Sequence, residues 1–440
     1  MCTLLIIIFT YNIIREIIQG NFMTTLEEKL FNKDVMSLET YIMFKLKEKT
    51  EALRPELTAK NRAPIFLSMG APTAMPPKKI LDRVKELMDE PNIHLYATPR
   101  GEDCFRKAIS KRMKNRFGVD LDPATEIFSL IGSKEGLAHL IRFLTTQKED
   151  KFEKDIFMVP DPCYASYWQF IKCSGGYGYH LPLTPENDYK PDIEEYYQKM
   201  ISEGFNPDKL KAVIINYPNN PMGVGTSKEY VKTIVDFCKK HQVLLISDAA
   251  YCDLYFEESE KPFSVFEIEG AKDIAVEFYS FSKPYAITGW RLGWVCGNSA
   301  IVQRLGKGKS TIDNGIFKVL QKACAEILND PEGDEYIRQG NLGYKHKQEI
   351  IVNGFRELGW NLPDEKIPHT TFYLWLPIPP RYESAFKFCE EVLEKSGVVL
   401  VPGNAFGDYG EGYFRLSYVC SDEQLKEVVS RLKQDGFYWE

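Results

Sequence analysis

The stretch "EFYSFSKPYAITGWRLGW", residues Glu277–Trp294, carries one lysine in an unusual setting. Lys283 stands between a Ser-Phe-Ser turn and a glycine-containing segment, and Arg291 follows eight residues later. A lysine amine attacks an aldehyde only in its deprotonated form, which burial and a nearby cation such as Arg291 favour. A solvent-exposed lysine in a serine-rich turn is the alternative for Lys283 taken alone. The neighbouring segments must therefore decide between the two interpretations.

Five short apolar runs each end in polar residues. They lie in "EIFSLIGSKEGL", "DIFMVPDPCYASY", "KAVIINYPNNPMG", "QVLLISDAAY" and "DIAVEFYSFSK". From about Leu81 onward such runs alternate with helical periodicity, which is typical of an α/β domain with a mainly parallel sheet. Ligands of open α/β sheets bind at the carboxyl ends of the strands. We therefore expect the polar residues to meet in one crevice.

Several of these polar residues fit a phosphate-bearing aromatic ligand, although each also has a structural explanation. Asp248 ends a buried run, where a carboxylate needs a proton-bearing partner such as a ring nitrogen; it also fits a helix cap. Ser133 and Lys134 open a helix and predict a phosphate site, while Ser133 alone fits a structural cap. Asn220 lies between prolines. It either forms part of a rigid turn or donates a hydrogen bond to a phenolate oxygen.

Three more residues each have both a functional and a structural explanation. Tyr251 either hydrogen-bonds the ligand of Asp248 or packs in the core, and Tyr164 is either a core aromatic or a ring stacked on a planar ligand. Arg415 lies in the alternating run "GYFRLSYV". It either faces inward, where it would bind a ligand carboxylate with two hydrogen bonds, or faces solvent. The sequence contains neither GxGxxG nor GxxxxGK[ST], so nucleotide binding is not favoured.

Composition narrows the class of protein. The 440 residues suffice for two domains, and 44% hydrophobic with 27% charged residues are ordinary for a soluble globular protein. A net charge of -7 argues against a nucleic-acid or membrane partner. The ten cysteines show neither CxxC nor Cys/His spacing, so we expect no metal site, no disulfide framework and a cytoplasmic protein.

The first 22 residues differ from the rest of the chain. Their apolar run is shorter than the roughly 20 residues of a membrane helix and lacks a basic flank and a cleavage site. We predict an upstream extension with Met23 as the natural start; a short interface helix or a weak anchor is the alternative. The remaining predicted parts are an N-terminal arm with part of a small domain (23–75), a large cofactor-binding domain (76–310) and a small α+β domain (311–440).

Together these motifs resemble the fold-type I pyridoxal-phosphate-dependent aminotransferases of class I and II, from about Tyr41 to the C-terminus. "SFSKPYAITGWRLGW" resembles the cofactor-lysine motif of that family. The resemblance implies an α/β fold, with a mainly parallel seven-stranded sheet sandwiched by helices and a smaller α+β domain. It also implies pyridoxal 5'-phosphate as cofactor and a homodimer with shared active sites.

The resemblance also implies roles for individual residues. Lys283 is implied to bind the cofactor covalently, Asp248 to pair with its ring nitrogen, and Lys283, Asp248 and Tyr251 to be catalytic. The implied cofactor contacts are Tyr251 and Asn220 at the phenolic oxygen, Tyr164 against the ring, Ser133, Lys134, Ser280 and Arg291 at the phosphate, and Tyr96 at the phosphate of the neighbouring subunit.

The implied substrate contacts are Gly70 in "LSMGAPTAMPP", Asn220, and Arg415 at the α-carboxylate. Tyr41 in the N-terminal arm and Asn314 in "STIDNGIF" resemble substrate-binding positions of LL-diaminopimelate aminotransferases and their relatives. Those enzymes carry an acidic residue shortly after the Tyr96 position, whereas "YATPRG" has Pro99 and Arg100 there. Aspartate, glutamate or a broader donor range therefore stay open beside LL-diaminopimelate.

The predicted function is transfer of an amino group from an L-amino acid to a 2-oxo acid by a ping-pong mechanism, within amino acid biosynthesis. Fold resemblance does not select the reaction, so β- or γ-elimination on the same scaffold is an alternative. A non-catalytic, cofactor-binding domain of a transcriptional regulator is a remote one, which the acidic charge disfavours.

Overall fold

A seven-stranded sheet forms the centre of the chain. In the computed structural model, residues 26–38 and 42–440 are described. Their strands are β1 (Ile65–Phe66), β2 (Ile127–Leu130), β3 (Ile156–Asp161), β4 (Tyr177–Pro182), β5 (Leu210–Ile215), β6 (Leu244–Asp248), β7 (Ala275–Ser280), β8 (Gly293–Gly297), β9 (Tyr373–Pro377), β10 (Val398–Val399), β11 (Val401–Pro402) and β12 (Tyr413–Ser417).

The large sheet has the order β2-β8-β7-β6-β5-β3-β4, and among its described strands only β8 runs antiparallel to its neighbours. Both faces are buried, because alternate residues of β3 belong to different hydrophobic clusters: Ile156 and Met158 to one, Phe157 and Val159 to another. A strand covered on both faces needs apolar residues at every position. This explains why the sequence shows continuous apolar runs instead of alternation.

The direction of β8 matters for the site. Its first residue, Gly293, pairs with Ser280 at the end of β7 and with Leu130 at the end of β2. An antiparallel strand therefore begins at the edge where its parallel neighbours finish. Arg291, two residues before Gly293, arrives at that edge for this reason.

The described part of the chain also contains α-helices. Within the described residues the α-helices are Leu26–Leu30, Lys33–Met36, Ile42–Ala59, Lys78–Leu87, Asp103–Phe117, Ser133–Leu144, Ser166–Ser174, Ile193–Ser202, Lys228–His241, Ala271–Ile274, Ser299–Lys309, Lys318–Ile327, Pro331–Glu357, Ala385–Ser396 and Asp422–Gln434. No helix in this part of the chain has the length and apolar character needed to cross a membrane.

Two smaller sheets lie outside the large one. β9, β12 and β11 form an antiparallel sheet, and β1 pairs in parallel with β10. Phe414 and Leu416 on β12 pack with Leu374 and Leu376 on β9 in a shared hydrophobic cluster, in which burial of apolar area stabilises the sheet. Arg415 lies between Phe414 and Leu416 in sequence, so the period of two places its side chain on the opposite face.

The α/β fold class, with its mainly parallel seven-stranded sheet and smaller α+β part, is confirmed. The chain divides into two compact units, residues 1–39 and 40–440, and the first contains the two short helices Leu26–Leu30 and Lys33–Met36. The boundaries predicted near residues 75 and 310 stay predictions. The predictions for residues 1–22 and for Tyr41 fall outside the described residues.

Candidate active site

A cavity of about 370 Å³ lies at the carboxyl edge of the large sheet. It collects residues that the sequence spreads over more than 300 positions, as expected from the apolar runs. The predicted site residues that line it are Gly70, Ser133, Lys134, Tyr164, Asn220, Asp248, Tyr251, Ser280, Lys283, Arg291 and Arg415. The expected convergence of these residues on one crevice is therefore observed.

Lys283 follows β7 and is half-buried, because its side chain forms part of the cavity wall. Its ammonium group donates a hydrogen bond to the backbone carbonyl of Gly70. Burial, and then the charges of Arg415 and Arg291, lower the pKa of Lys283 from 10.5 to about 8, while Asp248 acts in the opposite direction. The deprotonated amine that a nucleophile or base requires is thus more abundant near neutral pH than for an ordinary lysine, at about a tenth of the molecules at pH 7.

Asp248 ends β6 and is buried. Its Oδ2 accepts a hydrogen bond of 2.6 Å from the hydroxyl of Tyr167, and its Oδ1 one of 3.3 Å from the amide of Ala250. Burial raises the pKa of this carboxyl to about 6, and the Tyr167 bond partly offsets that effect. A buried carboxylate held this way suits a proton-bearing cationic partner.

Two partners of Asp248 were not predicted from the sequence. Tyr167 is fully buried in the helix Ser166–Ser174, three residues after Tyr164. Asn216 donates from Nδ2 to the backbone carbonyl of Asp248 at 2.8 Å, and its Oδ1 accepts from the amide of Asn220 at 3.0 Å. Both residues stand inside quoted motifs, but only the pairing of β5 with β6 and the packing of the helix show whom they contact.

One end of the cavity is built for an anion. Ser133 begins the helix Ser133–Leu144, whose first amides carry partial positive charge. Gly132 has φ +77°, and a Cβ there would overlap Nη2 of Arg291, so the backbone approaches the guanidinium closely. Desolvation of its ammonium, and then the charge of Arg291, lower the pKa of Lys134. Two cations and a helix N-terminus are the donor set that a phosphate prefers.

Polar groups hold this anion site in shape. Arg291 donates from Nη1 to the carbonyl of Thr288 at 2.8 Å. The hydroxyl of Ser280 accepts from the amide of Ser282 at 3.1 Å. Lys134 lies with its Nζ 5.8 Å from the ring centroid of Tyr164, which places that ring beside the cations. Ser280 and Tyr164 thus line the same cavity as Lys134 and Arg291.

The other end of the cavity contains a buried arginine. Arg415 is 5% exposed and donates from Nη1 to Oδ1 of Asn220 at 2.8 Å and from Nη2 to the carbonyl of Ser68 at 2.9 Å. Its Nε has no partner, and no carboxylate within the described residues pairs with it. Its guanidinium carbon lies 4.4 Å from the ring centroid of Tyr373 and 4.7 Å from that of Phe406. A buried cation with only neutral partners fits a ligand carboxylate.

Some predicted residues lie elsewhere. Tyr96 is 83% exposed, Asn314 is exposed, and neither lines the cavity. Their segments are adjacent, because a Cβ on Gly315 would lie 2.7 Å from the carbonyl oxygen of Thr98. Tyr96 and Asn314 therefore belong to one surface region outside the cavity of their own chain.

Arg100 also lies outside this cavity. It is half-buried, and burial followed by the charge of Arg106 lowers its pKa, while Asp122 acts in the opposite direction. Its charged neighbours thus come from the segment before β2. Within one chain Arg100 does not contribute to the cavity wall.

Comparison with known proteins gives consistent matches over most of the chain. The family model for aminotransferases of class I and II matches residues 63–432. The chain is 37% identical over 383 residues to the LL-diaminopimelate aminotransferase of Nitratidesulfovibrio vulgaris, covering 87% of this chain and 94% of that protein. It is 38% identical over 370 residues to the LL-diaminopimelate aminotransferase of Moorella thermoacetica, covering 84% and 90%. The substrate-bound BacF structure from Bacillus subtilis is 30% identical, with a TM-score of 0.82, covering 93% of this chain and 99% of that one.

Proposed function

This chain belongs to the class I and II aminotransferases, and from that premise we propose that its cavity binds pyridoxal 5'-phosphate and an L-amino acid side by side. The enzyme is an aminotransferase, and its class depends on pyridoxal phosphate in general. One observation carries the proposal: a lysine with a pKa of about 8 lines the same cavity as an anion site and a buried arginine without a carboxylate partner.

The residues present fit the cofactor. Its phosphate matches the helix N-terminus at Ser133 with Lys134 and Arg291, its ring nitrogen matches Asp248, and its aldehyde matches Lys283. The further proposed contacts are Tyr164 at the ring, Tyr251 and Asn220 at the phenolic oxygen, and Ser280 at the phosphate. When bound, the cofactor supplies an electron-accepting ring that stabilises negative charge on the substrate carbon next to the amino group.

The protein side chains then have distinct tasks. Arg415 binds the α-carboxylate of the substrate with two nitrogens and so orients its Cα toward Lys283. Lys283, once its amine is free, removes the proton from that Cα and returns a proton elsewhere in the same cavity. Asp248 holds a proton on the nitrogen that it faces, since an ionised buried carboxylate stabilises a positive charge beside it. Retention of the substrate carboxylate by Arg415 favours transamination over decarboxylation.

The residues that line the cavity bear on the choice of amino donor. The names of the relatives favour LL-diaminopimelate, which carries a second ammonium group. Asp248 is the only carboxylate among the residues lining the described cavity, and it faces the ring nitrogen in our proposal. L-glutamate and L-aspartate, which lack a second ammonium, are therefore the alternative donors. Pro99 and Arg100 in the segment after Tyr96 support these alternatives.

We propose that the enzyme is a homodimer, in which Tyr96 and Asn314 complete the site of the partner subunit. The support is their exposure on one common surface region, which leaves them outside the cavity of their own chain. Mixing the variants Lys283→Ala and Tyr96→Phe tests this arrangement. A shared site predicts that refolded mixtures are more active than either variant alone, because one hybrid site contains neither substitution.

Absorption spectroscopy of the purified enzyme tests the function. The bound cofactor gives a near-visible band, which a true amino donor converts to the spectrum of the aminated cofactor. LL-diaminopimelate, L-glutamate and L-aspartate are added one at a time, with Lys283→Ala as the control. We expect conversion by one donor and release of its 2-oxo acid. No band after addition of pyridoxal phosphate would disprove the cofactor site, and pyruvate with ammonia from one amino acid alone would show elimination instead.

A further inference from the structure

Tyr373, the first residue of β9, contacts three separate groups of the cavity. It is 1% exposed, and its hydroxyl lies 2.9 Å from the hydroxyl of Tyr251. Its ring centroid lies 4.4 Å from the guanidinium carbon of Arg415. A Cβ on Gly70, whose carbonyl accepts from Lys283, would lie 2.6 Å from the Tyr373 hydroxyl. These contacts join the cofactor end of the cavity to its carboxylate end.

We propose that Tyr373 is a positioning residue: its hydroxyl orients the hydroxyl of Tyr251, and its ring orients the guanidinium of Arg415. The proposal rests on the proposed function, since it takes Tyr251 as a donor to the cofactor and Arg415 as the carboxylate site. It adds a residue that none of the sequence motifs pointed to. Its two contributions arise from different parts of one side chain, so substitutions can separate them.

The contribution of the Tyr373 hydroxyl follows from the single proton that each tyrosine hydroxyl can donate. A tyrosine hydroxyl has one proton to donate and lone pairs to accept with. The bond between Tyr251 and Tyr373 can run in either direction in the protein alone. If Tyr251 donates its proton to the phenolic oxygen of the cofactor, it must accept from Tyr373. A hydrogen-bond chain of this direction polarises Tyr251 and makes it a stronger donor to a phenolate.

The ring contribution follows from stacking. Phe406 lies 4.7 Å from the Arg415 guanidinium carbon, and Tyr373 lies 4.4 Å from it. Two aromatic rings near a guanidinium favour the cation through their electron-rich faces and restrict its rotation. The remaining freedom is limited by the bonds from Arg415 to Asn220 and Ser68. Phenylalanine at position 373 would keep this stacking and remove only the hydroxyl.

The charged and titratable groups around the tyrosine pair include Lys283, Arg415, Tyr164 and, on the side of Tyr373, Tyr344. Lys283 lies with its Nζ 5.8 Å from the ring centroid of Tyr251. Burial, and then the neighbouring Tyr373, raise the pKa of Tyr251, while Arg415 acts in the opposite direction and Tyr164 raises it further. Tyr251 therefore keeps its proton more firmly than an ordinary tyrosine. A change in the pH titration of the bound cofactor after Tyr373→Phe reports its hydrogen bonds, not ionisation of Tyr251.

The experiment compares the cofactor-loaded enzyme with Tyr373→Phe, Tyr373→Leu and the control Tyr418→Phe. Tyr418 is a buried tyrosine of the same hydrophobic cluster, and its hydroxyl accepts from Gln348 at 3.2 Å outside the cavity. Two quantities are measured: the pH midpoint at which the near-visible band of the bound cofactor titrates, and the affinity for succinate as a non-reacting dicarboxylate. Circular dichroism checks that each variant is folded.

We expect Tyr373→Phe to raise the pH midpoint by about half a unit to one unit, because the phenolate loses part of its hydrogen bonding. Its succinate affinity stays within about twofold of the unsubstituted enzyme, because the ring over Arg415 remains. Tyr373→Leu also weakens succinate about tenfold, and Tyr418→Phe changes neither quantity.

An unchanged midpoint in Tyr373→Phe would overturn the hydroxyl contribution, and unchanged succinate affinity in folded Tyr373→Leu would overturn the ring contribution. A shift of equal size in Tyr418→Phe would show a general effect of core substitutions and would also overturn the proposal. Failure of the proposed function gives a different result: the unsubstituted enzyme itself would show no titrating band.

Discussion

Asp248→Asn is expected to stabilise the cofactor-free protein while disabling the cofactor site. The carboxyl of Asp248 is buried, and burial raises its pKa from 3.8 to about 6. The folded protein therefore binds this proton more tightly than the unfolded chain, so stability falls as pH rises from about 4 to about 6. Above pH 6 the buried carboxylate is ionised and its full cost is present. Asparagine removes that cost because it does not ionise.

The size of the effect follows from the pKa. One pKa unit corresponds to about 1.4 kcal/mol, so the rise from 3.8 to about 6 corresponds to roughly 3 kcal/mol. The pKa of about 6 already includes the hydrogen bonds from Tyr167 and Ala250 to the ionised carboxylate, so they are not subtracted again. Because asparagine resembles the neutral carboxyl, the free energy of unfolding of Asp248→Asn should exceed that of the unsubstituted protein by about 3 kcal/mol at pH 8. Near pH 4 this gain should vanish.

Urea unfolding of cofactor-free protein at pH 8 and near pH 4 measures this difference. Asp120→Asn is the control, because that carboxylate is 81% exposed in a surface ion pair with Lys114, a kind of pair that contributes little. Added pyridoxal phosphate should reverse the order at pH 8, since only Asp248 stabilises a protonated ring nitrogen. If the free energy of unfolding of Asp248→Asn shows no gain at pH 8, or the same gain at both pH values, Asp248 does not carry the cost of a buried charge.

Two further substitutions test the two ends of the cavity. Arg415→Lys should raise the KM for donor and acceptor by about 10- to 100-fold with a smaller change in kcat, because lysine cannot bind a carboxylate with two planar nitrogens. Steady-state kinetics measure this change, with the exposed Arg381→Lys as the control. An unchanged KM would contradict the role of Arg415. Gly132→Ala should weaken pyridoxal phosphate at least about tenfold, because its Cβ overlaps Arg291. The control Gly118→Ala has a similar φ of +70° but open space around its Cβ, so it introduces backbone strain without displacing Arg291. A fluorescence titration with pyridoxal phosphate measures the affinity of both variants. Equal affinities would argue against the phosphate site.

The fold class and most residues of the cavity wall can be predicted from local sequence patterns. Continuous apolar runs ending in polar residues are the local signature of buried parallel strands, and strand ends of one sheet must share an edge. The sequence pattern therefore predicts that Lys283, Asp248 and Ser133 lie together. The resemblance of the lysine motif to a known family supplied the expected ligand. Residue patterns alone left each position open between a structural and a functional explanation.

The contacts across the cavity depend on packing in three dimensions and could not be predicted in this way. Tyr167 reaches Asp248 and Tyr373 reaches Tyr251 from elements far away in the sequence, and no periodicity records such pairs. The same is true of the exposure of Tyr96 and Asn314, which depends on how surface segments pack. The pKa values of Lys283 and Asp248 also follow from packing, because the cost of a buried charge depends on the depth of burial and on neighbouring charges in three dimensions.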